Sequence, residues 1–164
     1  VAGRNRPDTK PPRDTTSILR PDIMFNNLLL AVDINAPKGA SKSAKVAASM
    51  ARAEGAKLHL LNVVPDSGMA IVSASLGPDH ISRIVSKAHS ELEAWAASHV
   101  PEDVEYEVHI SEGTVYDQII RVAEKLNIDA IIVGSHRPEL KDYLIGPNAA
   151  RVARHAPQSV FVVR

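Results

Sequence analysis

From Asn27 to the last residues, short apolar runs alternate with longer segments whose apolar residues recur at helical spacing, and that alternation limits the possible folds more than any other feature. Asn27-Leu28-Leu29-Leu30-Ala31-Val32-Asp33 is apolar until it ends in an acid, the pattern of a strand buried on both faces of a parallel sheet. Lys42 to Glu54 follows, with Val46, Ala47, Met50 and Ala53 at helical spacing, and Gly55 stops it. Leu58 to Val64 is a second strand, closed by Pro65. A loop containing Gly68, Gly77 and Pro78 leads to a helix from about Asp79 to Ser98. Its core stripe is Ile81, Ile84, Val85, Ala88, Leu92 and Trp95. Val104 to Ile110 alternates as a third strand, and Gly113 precedes a helix that uses Val115, Ile119, Ile120, Ala123 and Leu126. Asp129 to Val133 is the fourth strand, Asn148 to His155 the last helix and Ser159 to Val163 the last strand. Five strands with helical crossovers predict an α/β fold: an open, doubly wound parallel sheet with helices on both faces.

The 164 residues suffice for one domain with a substantial core, and 45% hydrophobic with 23% charged residues is ordinary for a globular protein. Residues 1–23 stand apart. They carry Pro7, Pro11, Pro12 and Pro21 among charged residues and threonines, a composition that buries too little surface to offset its ordering entropy. They are read as a flexible leader or tag, and residues 24–164 as the folded domain, with Met24 just ahead of the first strand. Nineteen basic residues balance nineteen acidic ones, so charge points to neither nucleic acid nor an anionic membrane. There is no cysteine, which excludes disulfides, thiolate metal sites and a cysteine nucleophile. No apolar run approaches the roughly 18 residues of a membrane span, and no signal peptide is visible. A soluble, cytoplasmic protein without membrane insertion is expected.

The stretch Ile131-Ile132-Val133-Gly134-Ser135-His136-Arg137, followed by Leu144-Ile145-Gly146-Pro147-Asn148, points to a ligand. A strand ends at a glycine, a polar loop follows, and a second glycine opens a helix. In an open α/β sheet that arrangement gathers free backbone N–H groups beside a helix N-terminus, where phosphates bind. A nucleotide is therefore the leading ligand class. A P-loop is excluded, because Gly39-Ala40-Ser41-Lys42-Ser43 supplies one glycine where two are needed, and no G-x-G-x-x-G is present. A receiver domain would place an aspartate where Ile110-Ser111-Glu112 stands, and the Ser-Gly-Gly loop of pyrophosphatase-type ATP enzymes is missing. The loop after strand four remains. Strands one and four should flank the point where strand order reverses, so the loop after Asp33 opens into the same crevice.

Val32-Asp33, Leu61-Asn62-Val63, Glu112-Gly113, the run from Asp129 to His136 and the run from Arg154 to Val160 occur here in a specific order and spacing. On these the chain, from about Phe25 to Arg164, resembles the universal stress protein family. Gly134-Ser135-His136-Arg137-Pro138 is similar to its small single-domain bacterial members. Nucleotide binders of that family carry G-x2-G-x9-G-(S/T), whose backbone wraps phosphates and ribose. Gly134 matches the first glycine and Gly146 the last, whereas Arg137 stands at the middle glycine, the next spacer is one residue short, and Pro147 replaces Ser/Thr. Arginine resists a positive φ but brings a guanidinium able to grip a phosphate. Proline suits the first helical position yet removes a hydroxyl and an N–H.

The resemblance implies a cofactor site for ATP, or AMP, made by Ala31, Asp33, Val63, Val133, Gly134, Ser135, His136, Arg137, Gly146, Pro147 and Asn148. Mg²⁺ would accompany a triphosphate. Asp33 would bind the adenine or ribose side, or else cap the next loop; Val63 would offer backbone groups to adenine, or else serve the core. Ser135, His136 and Lys141 are donors near the phosphates, with a solvated lysine as the alternative. No partner acid or nucleophile is placed by sequence, so no catalytic residue is assigned. His59 and His109 lie on strands without metal-ligand spacing, and no metal site is expected. The apolar terminal strand, Val160 to Val163, is expected to pair with its copy in a homodimer, as family members commonly do. Three classes of function are open, in this order: a nucleotide-dependent dimeric switch acting on an unknown partner protein, a nucleotide-independent stress or interaction protein, and a slow ATPase.

Overall fold

The protein is described by a computed structural model covering residues 24–65, 78–135 and 145–164. Five parallel strands form one sheet: β1 (Asn27–Ala31), β2 (Lys57–Val64), β3 (Tyr106–Glu112), β4 (Ala130–Gly134) and β5 (Ser159–Val163), in the order β3-β2-β1-β4-β5. The helices are α1 (Pro37–Glu54), α2 (Pro78–His99), α3 (Val115–Lys125) and α4 (Pro147–His155). This is the expected doubly wound α/β architecture. The chain runs outward from β1 to β3, then crosses back to place β4 on the other side of β1, so strand order reverses between β1 and β4.

Strand pleating sorts the apolar residues onto two faces. Leu28, Leu30, Leu58, Leu60 and Ile132 pack with residues of α1 and α2; Leu29, Leu61, Ile131 and Val133 pack with Ile119 and Ala123 of α3 and with Ala149 and Val152 of α4. At the N-terminal end of the sheet, Asp129 Oδ2 accepts from the backbone N–H groups of Asn26 (2.6 Å) and Asn27 (2.9 Å), tying the start of β1 to that of β4. No described helix is long and apolar enough to cross a membrane.

Three elements depart from the sequence expectations. Helix α1 begins at Pro37 rather than Lys42, and its buried face is Ala40, Ser43, Ala44, Ala47, Ala48 and Ala51, while Ala53 is exposed. Alanine gives little hydrophobic contrast along a sequence, yet it is what lets a helix sit close on a sheet. Strand β3 lies two residues later than Val104 to Ile110. Val104 is buried beneath it in a turn, its N–H donating to Pro101 O at 3.0 Å, and Glu105 O opens the ladder by accepting from Leu58 N at 2.9 Å. Trp95 sits at the rim of the core, half-buried and stacked on His99 with centroids 4.3 Å apart. Gly55 ends α1 as expected, in the left-handed conformation (φ 65°) that L side chains resist.

Candidate functional site

Where β1 and β4 end side by side, a cavity of about 310 Å³ opens. That volume is at the small end of the range for ligand pockets. Its floor is apolar, from Ala31, Leu61, Val63, Val133, Val115 and Ile119; its polar groups come from Asp33, Asn35, Ser43, Asn62, Ser135 and Asn148.

Two helices begin at this cavity. Ala36, ahead of α1, and Gly146, ahead of α4, are the N-cap residues; neither makes a side-chain capping bond, and neither helix has an acid in its first turn. Ala36, Gly39 and Ala40 of the first, and Gly146, Pro147, Asn148 and Ala149 of the second, line the cavity. The first intrahelical bond of α4 runs from Ala150 N to Gly146 O at 2.9 Å. The N–H groups of Asn148 and Ala149 are therefore left without an intrahelical acceptor. An anion in the cavity meets the positive ends of two helices, each worth about 0.3–1 kcal/mol and more where partly buried.

Close approach, rather than left-handed backbone, explains Gly134. A Cβ there would stand 3.1 Å from Ser43 Oγ, so the end of β4 presses on the first turns of α1. Gly146 has φ −54°, and among the described residues a Cβ on it would meet Ser135 O at 3.7 Å, an ordinary contact. Gly113, by contrast, has φ 132° and packs against Gln118, which Ser111 Oγ holds with a 2.6 Å bond to Oε1.

Nine of the eleven residues expected at the site line this cavity together: Ala31, Asp33, Val63, Val133, Gly134, Ser135, Gly146, Pro147 and Asn148. His136 and Arg137, like Lys141, lie outside the described residues. Asp33 also takes the capping role, its Oδ1 accepting from Asn35 N at 3.0 Å while its carbonyl accepts from Ala36 N at 3.0 Å. The Ser135 N–H is committed to the ladder, donating to Val163 O at 2.8 Å, so it is not free for a ligand, although Ser135 lines the cavity. Asn62 and Ser43 were not singled out as site residues. Both are buried, and Asn62 Nδ2 donates to Val32 O at 2.8 Å, clasping the loop that carries Asp33.

The family model described as "Universal stress protein family" matches residues 24–164. The chain belongs to the universal stress protein family. It is similar to universal stress protein G of Escherichia coli O157:H7, 28% identical over 145 residues that cover 86% of this chain and all of that one. Among solved structures it resembles a universal stress protein from Archaeoglobus fulgidus in complex with dAMP (TM-score 0.54, 20% identity, 86% of this chain and 99% of that one). It also resembles a universal stress protein in complex with cAMP (TM-score 0.55, 19% identity, 86% and 98%). At these identities the structures establish a shared fold, that of the universal stress proteins.

A second polar cluster lies away from the cavity and brings the two strand histidines together. Parallel pairing of β2 with β3 sets His59 opposite Glu107 and one alternate position from His109. The imidazoles stack at 5.2 Å, with His59 Nδ1 2.9 Å from His109 Nε2, although 50 residues separate them in the chain. Burial is the main cause that holds both below the usual histidine range. For His59 the neighbouring His109 and Lys57 act in the same sense.

Proposed function

We propose that the cavity binds an adenine nucleotide, ATP or AMP, and that the protein acts as a nucleotide-dependent regulator of a partner rather than as an enzyme. The observation that carries this reading is the convergence on the ends of β1 and β4 of two helix N-termini whose N-cap residues make no side-chain capping bond and whose first turns hold no acid. Phosphates would sit against the first turn of α4, where Asn148 and Ala149 offer N–H groups. Asp33 suits the ribose or adenine side, and Val63 lies where backbone groups can meet the base. The two similar proteins solved with dAMP and with cAMP share an adenine, which supports that choice of base. Mg²⁺ would enter with a triphosphate. The chemistry of hydrolysis would need a base or a water-orienting group beside the phosphate, and none is assigned.

Regulation requires the nucleotide to favour one conformation, and its differential affinity limits the effect on the partner. Dimerisation through β5 fits the two sheet edges. Edge strand β3 carries Glu107, His109 and Glu112, whereas β5 reads Ser-Val-Phe-Val-Val with no charge to deter pairing.

Calorimetric titration of nucleotide-stripped protein with Mg-ATP, AMP and GTP tests the reading. Micromolar ATP or AMP binding with weak GTP binding is expected. Absence of heat at several temperatures from folded protein would overturn it, leaving a protein that works by contact alone.

A further inference from the structure

The cluster on β2 and β3 presents three ligating atoms to one another, and none of the three residues lines the nucleotide cavity. We propose that His59, Glu107 and His109 form a separate metal site that takes a borderline divalent transition ion, with Zn²⁺ as the reference, through two imidazole nitrogens and one carboxylate oxygen. The candidate ligand atoms all lie within 4.8 Å of one another. His59 Nδ1 is 2.9 Å from His109 Nε2 and 4.0 Å from Glu107 Oε2. Tetrahedral zinc with bonds of about 2.0–2.1 Å sets its ligand atoms about 3.3 Å apart, so the two imidazole nitrogens must part by about 0.4 Å and the Glu107 carboxylate must swing in by about 0.7 Å or more, within reach of a half-exposed side chain. Imidazole and carboxylate together suit this class of ion better than Mg²⁺ or Ca²⁺, which prefer oxygen alone.

The surroundings orient the ligands. His59 is 5% exposed, and its Nε2 lies 3.4 Å from Asn27 Oδ1. Donation from Nε2–H to that amide oxygen leaves the Nδ1 lone pair facing His109 and Glu107, the outer support that metal-binding histidines ordinarily have. With His59 in that tautomer, His109 is the donor of the 2.9 Å contact, from Nε2–H, in the metal-free protein. When an ion binds, the proton moves to His109 Nδ1, so both ligands stay neutral and no proton is lost. Lys57 Nζ competes for Glu107 at 2.9 Å, but it also lies 3.6 Å from Glu105 and can stay there when Glu107 turns to the ion. Around the cluster Glu105 and Glu107 balance Lys57 and Lys125, so no excess positive charge opposes a cation. Glu107 is half exposed, giving the ion a route in and room for a water ligand. A bound ion would tie edge strand β3 to β2 and stabilise the fold by mass action.

Chelator-stripped protein would be titrated with Co²⁺ alone, followed by its visible d–d absorption, and then competed with Zn²⁺. One equivalent is expected, with melting temperature raised by Zn²⁺. Loss of a ligand should cost more than the about 10–100-fold that loss of an outer partner costs, so His109→Gln and Glu107→Gln should each weaken binding at least tenfold. Circular dichroism and nucleotide titration should be unchanged in both, and Glu107→Gln, at an exposed position, keeps the test valid should His109→Gln unfold. No saturable absorption in the unmodified protein, or unchanged affinity in folded variants, would overturn the site.

Discussion

The side chain of Asn62 reaches from β2 to the carbonyl oxygen of Val32, donating from Nδ2 at 2.8 Å, while Val32 N donates to Leu61 O at 2.8 Å. The amide continues the ladder between β1 and β2 just where the chain leaves β1 for the loop bearing Asp33. Both partners are buried, Val32 4% and Asn62 5% exposed. Asn62→Ala leaves the Val32 carbonyl unpaired, and the expected loss is about 1–3 kcal/mol in urea unfolding. Asn62→Asp, nearly the same shape but unable to donate while ionised, should do no better. Equal stability of all three proteins would show that the bond holds nothing together.

Gly134 and Ser43 should be coupled. Gly134→Ala puts a Cβ 3.1 Å from Ser43 Oγ, while Gly39 O, the next atom, is 4.0 Å away. We expect the single variant to lose about 1 kcal/mol, as mild overpacking does. Adding Ser43→Ala removes the one close atom among the described residues, and a double-mutant cycle should recover most of that loss. Strict additivity would mean that the end of β4 is held off α1 by something else.

Gly146→Asp separates the fold from the anion site. Backbone at φ −54° and ψ 151° accepts an L residue, and aspartate is a preferred N-cap where no side-chain cap now exists. The melting temperature of the variant should hold or rise. Its carboxylate, however, would occupy the field where the proposed nucleotide's phosphates would sit, so affinity for ATP should fall at least tenfold. Unchanged affinity would place the phosphates away from α4.

Phe161, 38% exposed on β5, packs edge-on against Phe25 with ring centroids 6.0 Å apart. A lysine there would put a charge on each copy of β5 in the proposed β5–β5 seam and so oppose pairing. Sedimentation should show the unmodified protein as the proposed dimer and Phe161→Lys as a monomer. A dimer that survives would move the interface elsewhere.

Element order was legible because it is written in periodicity: Leu28 to Leu30 and Ile131 to Val133 read as buried strands without any tertiary knowledge. Asp33 and Gly134 were legible for a related reason, since strand ends at a switch point are where ligands bind. The early start of α1 was hidden by its alanines, whose burial depends on how closely the sheet approaches. Ser43 and Asn62 were hidden because one polar residue in an apolar pattern reads equally as surface; only burial reveals what they hold. The His59–His109 pair needed the register of β2 against β3, which no spacing within either strand records.

That pair also gives the fold a pH dependence in chelator-treated protein. Both imidazoles are held below the ordinary histidine range, first by burial; Lys57 lowers both, Lys125 and His89 add to this at His109, and Glu107 opposes it at both, with Glu105 opposing at His59. An unfolded chain therefore binds protons here at a pH where the folded one does not. Stability from the pair is fully present above the unfolded histidine value of about 6.5 and falls as pH drops from there towards the lowered folded values. Urea midpoints measured between about pH 7.5 and 5.5, above most carboxylate titration, should decline with falling pH. His109→Gln removes one titrating group and the neighbour that disfavours charge on His59, so its decline should be shallower. An identical slope in the variant would assign the pH dependence to other histidines.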